Sequence, residues 1–237
     1  MEQIKKYRKT SKRIPKEERK VQILRSVLPV FAKKGLRGCT TKELAEATGV
    51  SEALIYKHFP SKEILFDSIE SFCLTTTKAN IGILESLEES TESLVRCIYF
   101  PMYTVLQNEM VQNEMDDHHL HRMVVHSLLG DGEFADDFLN NTYSIWQDKV
   151  EACIEAAREA GDITVPHKSK SIFPWLVQHL VSCYAYKHLP EKKLVDYGID
   201  DTEDLVDEFT LFALRGIGLS QSAIDRYYHP GEFLRLR

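Results

Sequence analysis

Side chains that donate hydrogen bonds to phosphate are concentrated in one short stretch of the chain, residues 40–62. Hydroxyl, phenol, imidazole and ammonium groups of this kind hold the backbone of duplex nucleic acid on either side of a groove. Between them lie side chains that could reach base edges. The candidate nucleic-acid contacts are Thr40, Thr41, Ser51, Glu52, Ala53, Leu54, Tyr56, Lys57, His58 and Lys62.

Two short helices and a tight turn must position these side chains. We expect Thr41 to cap a first helix over residues 42–47, and Gly49 to supply the positive backbone angle of a sharp reversal. Ser51 caps a second helix of barely two turns, which Pro60 ends. Because so short a helix is unstable alone in water, neighbouring helices must support it. The layout predicts a helix-turn-helix, whose second helix enters the major groove of DNA.

An ordered set of short motifs resembles the DNA-binding domain of TetR-family transcriptional regulators over residues 19–66. The matching residues are Ile23-Leu24, Phe31-Ala32-Lys33-Lys34-Gly35, Thr40-Thr41, Leu44-Ala45, Gly49-Val50-Ser51, Tyr56-Lys57-His58-Phe59 and Ser61-Lys62-Glu63. Pro29 departs from the pattern, and we expect a kink or break in the first helix there, because proline lacks an amide N–H. Ala53 and Leu54 stand where the family more often has glycine and a small or hydroxyl residue, so the base preference is not predicted.

The resemblance implies an all-α fold with three parts. A basic arm would occupy residues 1–15, a three-helix helix-turn-helix DNA-binding domain residues 16–62, and a helical effector-binding and dimerisation domain residues 63–237. Such a protein would be a sequence-specific transcriptional regulator, usually a repressor, that a small-molecule effector releases or alters. The last two long helices, residues 168–189 and 201–219, resemble the pair that packs against its copy in a homodimer. Twofold pairing would match a palindromic double-stranded operator.

Charge is distributed unevenly along the chain. The 237 residues carry a net charge of -6, which taken alone argues against nucleic-acid binding. Residues 1–66, however, have a balance of +9 and the remainder a balance of -15. Positive charge is therefore concentrated on the segment with the helix-turn-helix, as neutralisation of phosphates requires.

The cysteines and the hydropathy pattern predict a cytoplasmic protein. Five cysteines are widely spaced and form no Cys-x-x-Cys pair, which fits a reducing compartment. The basic N-terminus lacks the apolar run of a signal peptide, and no stretch reaches the ~20 apolar residues that span a bilayer. We therefore expect no membrane partner.

Aromatic, methionine and imidazole side chains of the predicted body are candidates for the effector site. Pro101 should bend the helix that follows residue 90 and free carbonyl groups near a cavity. A second helix is expected without interruption over residues 133–160. The candidates are Tyr99, Met102, Tyr103, Met123, His126, Trp146, Trp175 and His179. Core packing is the alternative role for each of them.

The histidine-rich segment at residues 116–121, with His126 further along the same helix, is the most suggestive group of ligand-type side chains. His118 and His121 would share a helix face with Asp117 adjacent, so a divalent metal is conceivable, although solvated histidines at a helix start are the ordinary explanation. We predict no metal and no cofactor.

Two other classes of function compete with the regulator. An enzyme would need a glycine-rich phosphate loop, a Gly-x-Ser-x-Gly elbow or metalloenzyme spacing, and none occurs, so we predict no catalytic residues. A helical interaction module could use its basic N-terminus on an acidic surface without reading any DNA sequence. Such a module would bind an unstructured polyanion and a specific duplex equally strongly.

Overall fold

The computed structural model describes residues 14–106, 117–187, 189–190, 192 and 194–233, and this part of the chain is helical without a β-strand. The predicted all-α fold is confirmed, while nearly all of the predicted arm lies outside the described residues. The helices are α1 Lys16–Gly38, α2 Thr41–Thr48, α3 Glu52–His58, α4 Lys62–Glu85, α5 Thr91–Leu106, α6 Asp117–Leu128, α7 Glu133–Asp136, a π segment Asp137–Thr142, α8 Ser144–Glu159, α9 Ile172–Tyr186, α10 Thr202–Ile217, α11 Gln221–Tyr227 and α12 Pro230–Phe233.

The cap of α2 is Thr40, one residue earlier than the predicted Thr41. Thr40 Oγ1 accepts a hydrogen bond from the Glu43 amide at 3.3 Å, and the Glu43 carboxylate accepts one from the Thr40 amide at 2.8 Å. This reciprocal pair satisfies two amide groups that the helix cannot pair internally. The predicted caps Ser51 and Ser61 are confirmed, since each hydroxyl accepts from the amide three residues later.

The bend in α1 lies at Gly35 and not at Pro29, where it was predicted. Pro29 is on the exposed side of the helix, and helical backbone angles continue through it. Gly35 has φ 65° and ψ 175°, a conformation that glycine adopts without steric cost. α1 therefore turns at Gly35, shortly before the start of α2.

The body is built around α5, which packs against α8, α9, α10 and α11. The helix continues through Pro101, where a bend was expected. Proline has no amide N–H for the carbonyl four residues earlier, that of Cys97. Trp146 of α8 donates its indole N–H to this carbonyl at 2.9 Å. A side chain of a neighbouring helix thus replaces the missing backbone bond.

The π segment interrupts the helix that was predicted over residues 133–160. The amide of Tyr143 donates to the carbonyl of Phe138, five residues earlier, at 3.0 Å. The extra residue in this turn places the Phe138 and Tyr143 rings 6.0 Å apart, on the same side of the chain. Single π turns occur often at functional sites.

The two helices predicted for dimerisation are present, each shorter than predicted. α9 buries Val177 and Val181 against the body but leaves Ile172 and Leu176 half exposed. Phe212 of α10 is 69% exposed. An apolar surface therefore remains open along both helices. No helix in the described part of the chain combines the length and apolar character needed to cross a membrane.

Candidate nucleic-acid interface and body cavity

α3 is a seven-residue helix that the protein supports from one side. Ile55 is 2% exposed and packs in the core with Leu44 of α2 and with Phe59, which follows α3. The opposite side carries most of the predicted nucleic-acid contacts. Ser51, Glu52, Ala53 and Lys57 are exposed, and Leu54, Tyr56 and His58 are partly exposed. The major groove of DNA, about 12 Å wide, admits an α-helix presented in this way.

The other predicted contacts lie at the starts of α2 and α4. Thr41 is the first residue of α2 and is partly exposed. The Thr40 hydroxyl donates to the Glu43 carboxylate at 2.9 Å, and Lys62 Nζ donates to the carbonyl of Cys39 at 3.1 Å. Lys62 thus ties the start of α4 to the turn between α1 and α2. Its ammonium has three N–H groups, so two stay available for a phosphate.

An ion pair between Lys34 and Glu43 joins the end of α1 to the start of α2. The hydrogen bonds from Lys34 and from the amide and hydroxyl of Thr40 lower the pKa of Glu43 to about 2. The carboxylate consequently stays charged over the physiological pH range. Near neutral pH, the Glu43 carboxylate therefore keeps its ion pair with Lys34 and its hydrogen bonds from Thr40, and these interactions hold α1 and α2 together.

The start of α1 brings three basic residues near the end of α3, and the sequence prediction missed them. Burial lowers the pKa of His58, and the charges of Lys16, Lys20, Lys57 and Arg19 lower it further. His58 is therefore neutral near pH 7 and offers hydrogen bonds but no positive charge. The missed residues are Lys16, Arg19 and Lys20, which lie far upstream in sequence, so no local pattern relates them to α3.

A cavity of about 290 Å³ lies in the body, with walls from α1, α4, α5, α6, α8, α9 and the π segment. Its aromatic lining consists of Phe72, Phe100, Phe138, Tyr143 and Trp146. Its polar lining includes Arg25, Thr76, Thr104, His121, Gln178 and Ser182. Burial raises the pKa of Tyr143, so this phenol stays neutral. The volume suits a small organic molecule.

Of the eight effector-site residues predicted from the sequence, Trp146 lines this cavity and the others do not. Tyr99 stacks on Tyr103 and packs edge-on against Phe233. Met102 and Met123 are buried in the core. The spacing of these residues along each helix did not indicate which side of the helix faces the cavity.

The remaining three predicted residues lie at the surface or partly exposed. His126 is exposed beside Gly35, at the bend of α1. Trp175 and His179 lie on the outer side of α9 with their ring centroids 6.1 Å apart. Their position is next to the open apolar surface and away from the cavity lining.

The histidines of the predicted metal-type cluster face different surroundings. His121 is buried in the cavity wall, whereas His126 is exposed. Asp116 and the side chains of Asp117 and His118 lie outside what the structure describes. Among the residues that are described, no group of three or more metal-ligating side chains converges.

Comparison with known proteins identifies relatives of the N-terminal segment. Residues 23–69 match the family model of bacterial regulatory proteins, tetR family. The nucleoid occlusion factor SlmA of Salmonella paratyphi B is 36% identical over 88 residues, which are 37% of this chain and 44% of SlmA. The SlmA of Salmonella newport matches equally. The chain thus spans less than half the length of the curated relatives it matches.

Several solved structures share the fold of most of the chain. A tetR-family regulatory protein of Rhodococcus RHA1 has a TM-score of 0.62 at 18% identity and covers 86% of this chain and 98% of its own. PfmR of Thermus thermophilus has a TM-score of 0.59 at 18% identity, covering 84% and 99%. AibR, solved with isovaleryl coenzyme A and operator DNA, has a TM-score of 0.59 at 16% identity, covering 82% and 97%.

Proposed function

Because this chain belongs to the TetR family of bacterial regulatory proteins, we propose that it is a sequence-specific DNA-binding repressor that a small-molecule effector releases from its operator. In this proposal residues 1–15 form a basic arm, residues 16–62 the DNA-binding domain and residues 63–237 the effector-binding and dimerisation domain. The role is one of binding, without catalysis.

The exposed face of α3 is the observation that carries the proposal. A seven-residue helix with a capped start and one buried side contributes little to the core, yet its packing against α2 holds it in place. The opposite face presents hydroxyl, carboxylate, ammonium and phenol groups together with the apolar Ala53 and Leu54. Lys16 and Arg19 add positive charge at its end, where a phosphate would flank the groove.

Homodimerisation through α9 and α10 follows from the open apolar surface and from the size of α3. One α3 helix reads only a half-site, whereas a twofold pair reads a palindrome. Contiguous apolar side chains on a soluble protein mark a surface that another protein covers. Ile172, Leu176 and Phe212 are exposed in the single chain and would form the centre of this interface.

The cavity in the body would hold the effector. AibR has the same fold and was solved with both an acyl coenzyme A and operator DNA, so the fold accommodates a ligand and a duplex together. A ligand changes DNA affinity only through different affinities for the bound and released arrangements of the protein. We place the effector among the cavity lining, which retains Trp146 from the predicted set.

Selection of bound sequences from random duplex DNA tests the proposed function. We expect recovery of a palindrome whose half-sites lie about one helical turn apart, or a multiple of it. Recovery of unrelated sequences would instead favour the helical interaction module, whose basic segment binds polyanions without reading bases.

Two substitutions on α3 make the test specific. Tyr56→Ala and Lys57→Ala should each weaken binding to the selected duplex by about tenfold or more, and Tyr56→Ala should leave binding to an unstructured polyanion little changed. Lys57→Ala should also reduce the salt slope by about 1 if Lys57 contacts a phosphate. Lys78→Ala, an exposed lysine on α4, is the matched control and should leave duplex binding unchanged. Equal losses in all three variants would contradict a reading role for α3.

A further inference from the structure

Gln178 of α9 contributes a buried amide to the wall of the body cavity. The residue is 6% exposed, and its Nε2 donates a hydrogen bond to Ser182 Oγ at 2.7 Å. Its Oε1 is buried and accepts no hydrogen bond from the described part of the chain. A buried amide oxygen without a donor costs free energy comparable to that of a lost hydrogen bond. A molecule in the cavity that donates to this oxygen would remove the cost.

The hydroxyl groups of the wall already take part in hydrogen bonds. Thr76, Thr77 and Thr104 each donate to a backbone carbonyl of their own helix, at 2.8, 2.9 and 3.3 Å. Ser182 accepts from Gln178. None of these donors therefore requires a ligand as its acceptor, whereas the Gln178 oxygen still requires a donor.

The charges of the wall favour a neutral ligand. Arg25 and His121 line the cavity, and both already interact with other residues of the chain. The lining residues that the structure describes include no aspartate, glutamate or lysine. Removal of an ion from water is costly unless the site supplies an opposite charge. A cationic ligand would find no carboxylate here, and an anionic ligand would have to compete with the interaction that Arg25 already makes.

Tyr143 indicates the charge state and the shape of a molecule that suits this cavity. Burial raises the pKa of its phenol, because surroundings of low polarity disfavour the phenolate. The same surroundings keep a bound hydroxyl group neutral. The Tyr143 ring centroid lies 4.8 Å from that of Trp146 and 6.0 Å from that of Phe138, and all three rings line the cavity. Aromatic side chains at such spacings favour a further ring among them.

We propose that the effector is a small, neutral aromatic hydroxyl compound whose hydroxyl group donates a hydrogen bond to Gln178 Oε1. Its aromatic body packs against Phe138, Tyr143 and Trp146. The cavity volume of about 290 Å³ lies near the lower limit of ligand pockets, roughly 300 Å³, which suits a body of one or two rings. The word effector rests on the proposed function, whereas the binding chemistry rests on the cavity.

A ligand on Gln178 contacts two helices that matter for DNA binding. Gln178 belongs to α9, a helix of the proposed dimer interface, and the opposite wall includes Phe72 and Thr76 of α4. At the start of α4, Lys62 donates to the carbonyl of Cys39 in the turn between α1 and α2. A molecule between α9 and α4 therefore lies against the helix that leads from the helix-turn-helix. Different affinities for two arrangements of these helices shift the population of DNA-competent molecules.

A matched series of ligands tests this chemistry on the unmodified protein. The probes are 4-ethylphenol and 2-naphthol, each with its methyl ether, the hydrocarbon without the hydroxyl, and the carboxylate in place of the hydroxyl. The ether accepts hydrogen bonds but donates none, so it tests which end of the Gln178 amide faces the ligand. Calorimetry should detect binding of at least one phenol, with its three analogues each binding about tenfold more weakly or worse. The proposal is overturned if neither phenol binds at millimolar concentration, or if any analogue binds as tightly as its phenol.

Two variants assign the contact to a residue. Gln178→Leu should abolish the preference for the phenol over its ether and its hydrocarbon. The hydrocarbon should still bind this variant, which shows that the cavity is intact. Gln221→Leu makes the same change at an exposed site on α11 and should preserve the preference. A preference that survives in Gln178→Leu would overturn the assignment. The ligand series on the unmodified protein decides the ligand class even if Gln178→Leu fails to fold.

Binding of the selected duplex separates the ligand chemistry from the proposed function. At a concentration that saturates the unmodified protein, the phenol should lower its duplex affinity and should lower that of Gln178→Leu less. If the phenol binds as expected and no duplex is ever selected, the regulator proposal fails and the ligand chemistry stands. If a palindrome is selected and no phenol binds, the ligand inference fails and the regulator proposal stands.

Discussion

Glu70 of α4 is a half-buried carboxyl group among other acidic side chains. Burial raises its pKa, and the charges of Asp67, Asp131, Glu133 and Asp137 raise it further, to about 7. Asp131, Glu133 and Asp137 are far from Glu70 in sequence, and the structure brings them to it where α4 meets the loop before α7 and the π segment. A carboxyl group with this pKa makes stability depend on pH in a direction opposite to that of an ordinary surface carboxylate.

We predict that Glu70→Gln stabilises the protein at pH 8. The folded-state pKa of about 7 lies above the usual 4.5, so the folded protein binds the proton more tightly than the unfolded chain does. The free energy of unfolding of the unmodified protein therefore falls as pH rises from about 4.5 to about 7, and the variant lacks this decline. The gain at pH 8 should be about 1 kcal/mol after allowance for solvent screening of a half-exposed group.

Urea denaturation at pH 5, 6, 7 and 8 measures this difference. Glu63→Gln, also on α4, is the control, because hydrogen bonds from its own amide and from Ser61 lower the pKa of Glu63. That variant should gain nothing at pH 8. Parallel pH profiles for Glu70→Gln and the unmodified protein would show that Glu70 does not hold a proton near neutrality.

One hydrogen bond between α5 and α8 replaces a backbone bond that α5 lacks. Pro101 leaves the Cys97 carbonyl without its amide partner, and the Trp146 indole supplies a donor from the neighbouring helix. Trp146 is 1% exposed and also lines the cavity, so a single side chain packs the core, pairs α5 and shapes the site. The π segment contributes to the same cavity, because Phe138 and Tyr143 both line it.

We predict that Trp146→Phe destabilises the protein less when Pro101 is replaced by alanine. In the unmodified background the change leaves a buried carbonyl unpaired, which costs about 1–3 kcal/mol in addition to lost packing. In Pro101→Ala the amide of residue 101 can pair with the Cys97 carbonyl within the helix, so the hydrogen-bond part of the cost is removed.

A double-mutant cycle of unfolding free energies should give a coupling of about 1 kcal/mol between the two positions. Trp175→Phe on α9 has no bond to α5 backbone among the described contacts and is the control, for which the coupling with Pro101→Ala should be near zero. Equal costs of Trp146→Phe in both backgrounds would mean that the indole N–H contributes nothing through this carbonyl.

The assembled protein is expected to cover the surface that a single chain leaves open. Cys183 lies on the outer side of α9 and is exposed, whereas Cys39, Cys73, Cys97 and Cys153 are buried. Thiol labelling is therefore a direct measure of assembly, because one cysteine lies in the proposed dimer interface and the other four lie in the core. The same surface includes Leu176 of α9 and Phe212 of α10.

We predict that dimerisation protects Cys183 from a thiol reagent. Labelling of the unmodified protein should be slow, and Leu176→Asp, which places a charge in the interface, should accelerate it by about tenfold or more. Cys183→Ser in the Leu176→Asp background should remove the fast phase and so identify the thiol. Fast labelling of the unmodified protein at all concentrations, together with a monomeric mass in sedimentation, would contradict dimerisation through α9.

The helix-turn-helix could be predicted from sequence because its determinants are local. The helix caps and the Gly49 turn lie within a few residues of the backbone that they control, and the buried residues Leu44 and Ile55 lie within the two helices themselves. Hydrogen bonds between such near neighbours form whatever the packing of the rest of the chain. The one error in this region, Thr41 for Thr40 as the cap, is a shift of one residue. The family resemblance rested on the same local motifs.

The cavity could not be predicted in this way, because its wall combines residues from Arg25 on α1 to Ser182 on α9. Helical periodicity identifies an apolar side of each helix, but where several helices meet, it does not determine which neighbour or which empty space that side faces. Tyr99 and Met102 have side chains suited to an apolar ligand but pack elsewhere in the core. Arg25 lies in the segment that was predicted to bind DNA, and its neighbours in sequence do not indicate a cavity. Local hydrogen bonding determines the helix-turn-helix, and only long-range packing places a charged side chain of α1 in the wall of the cavity.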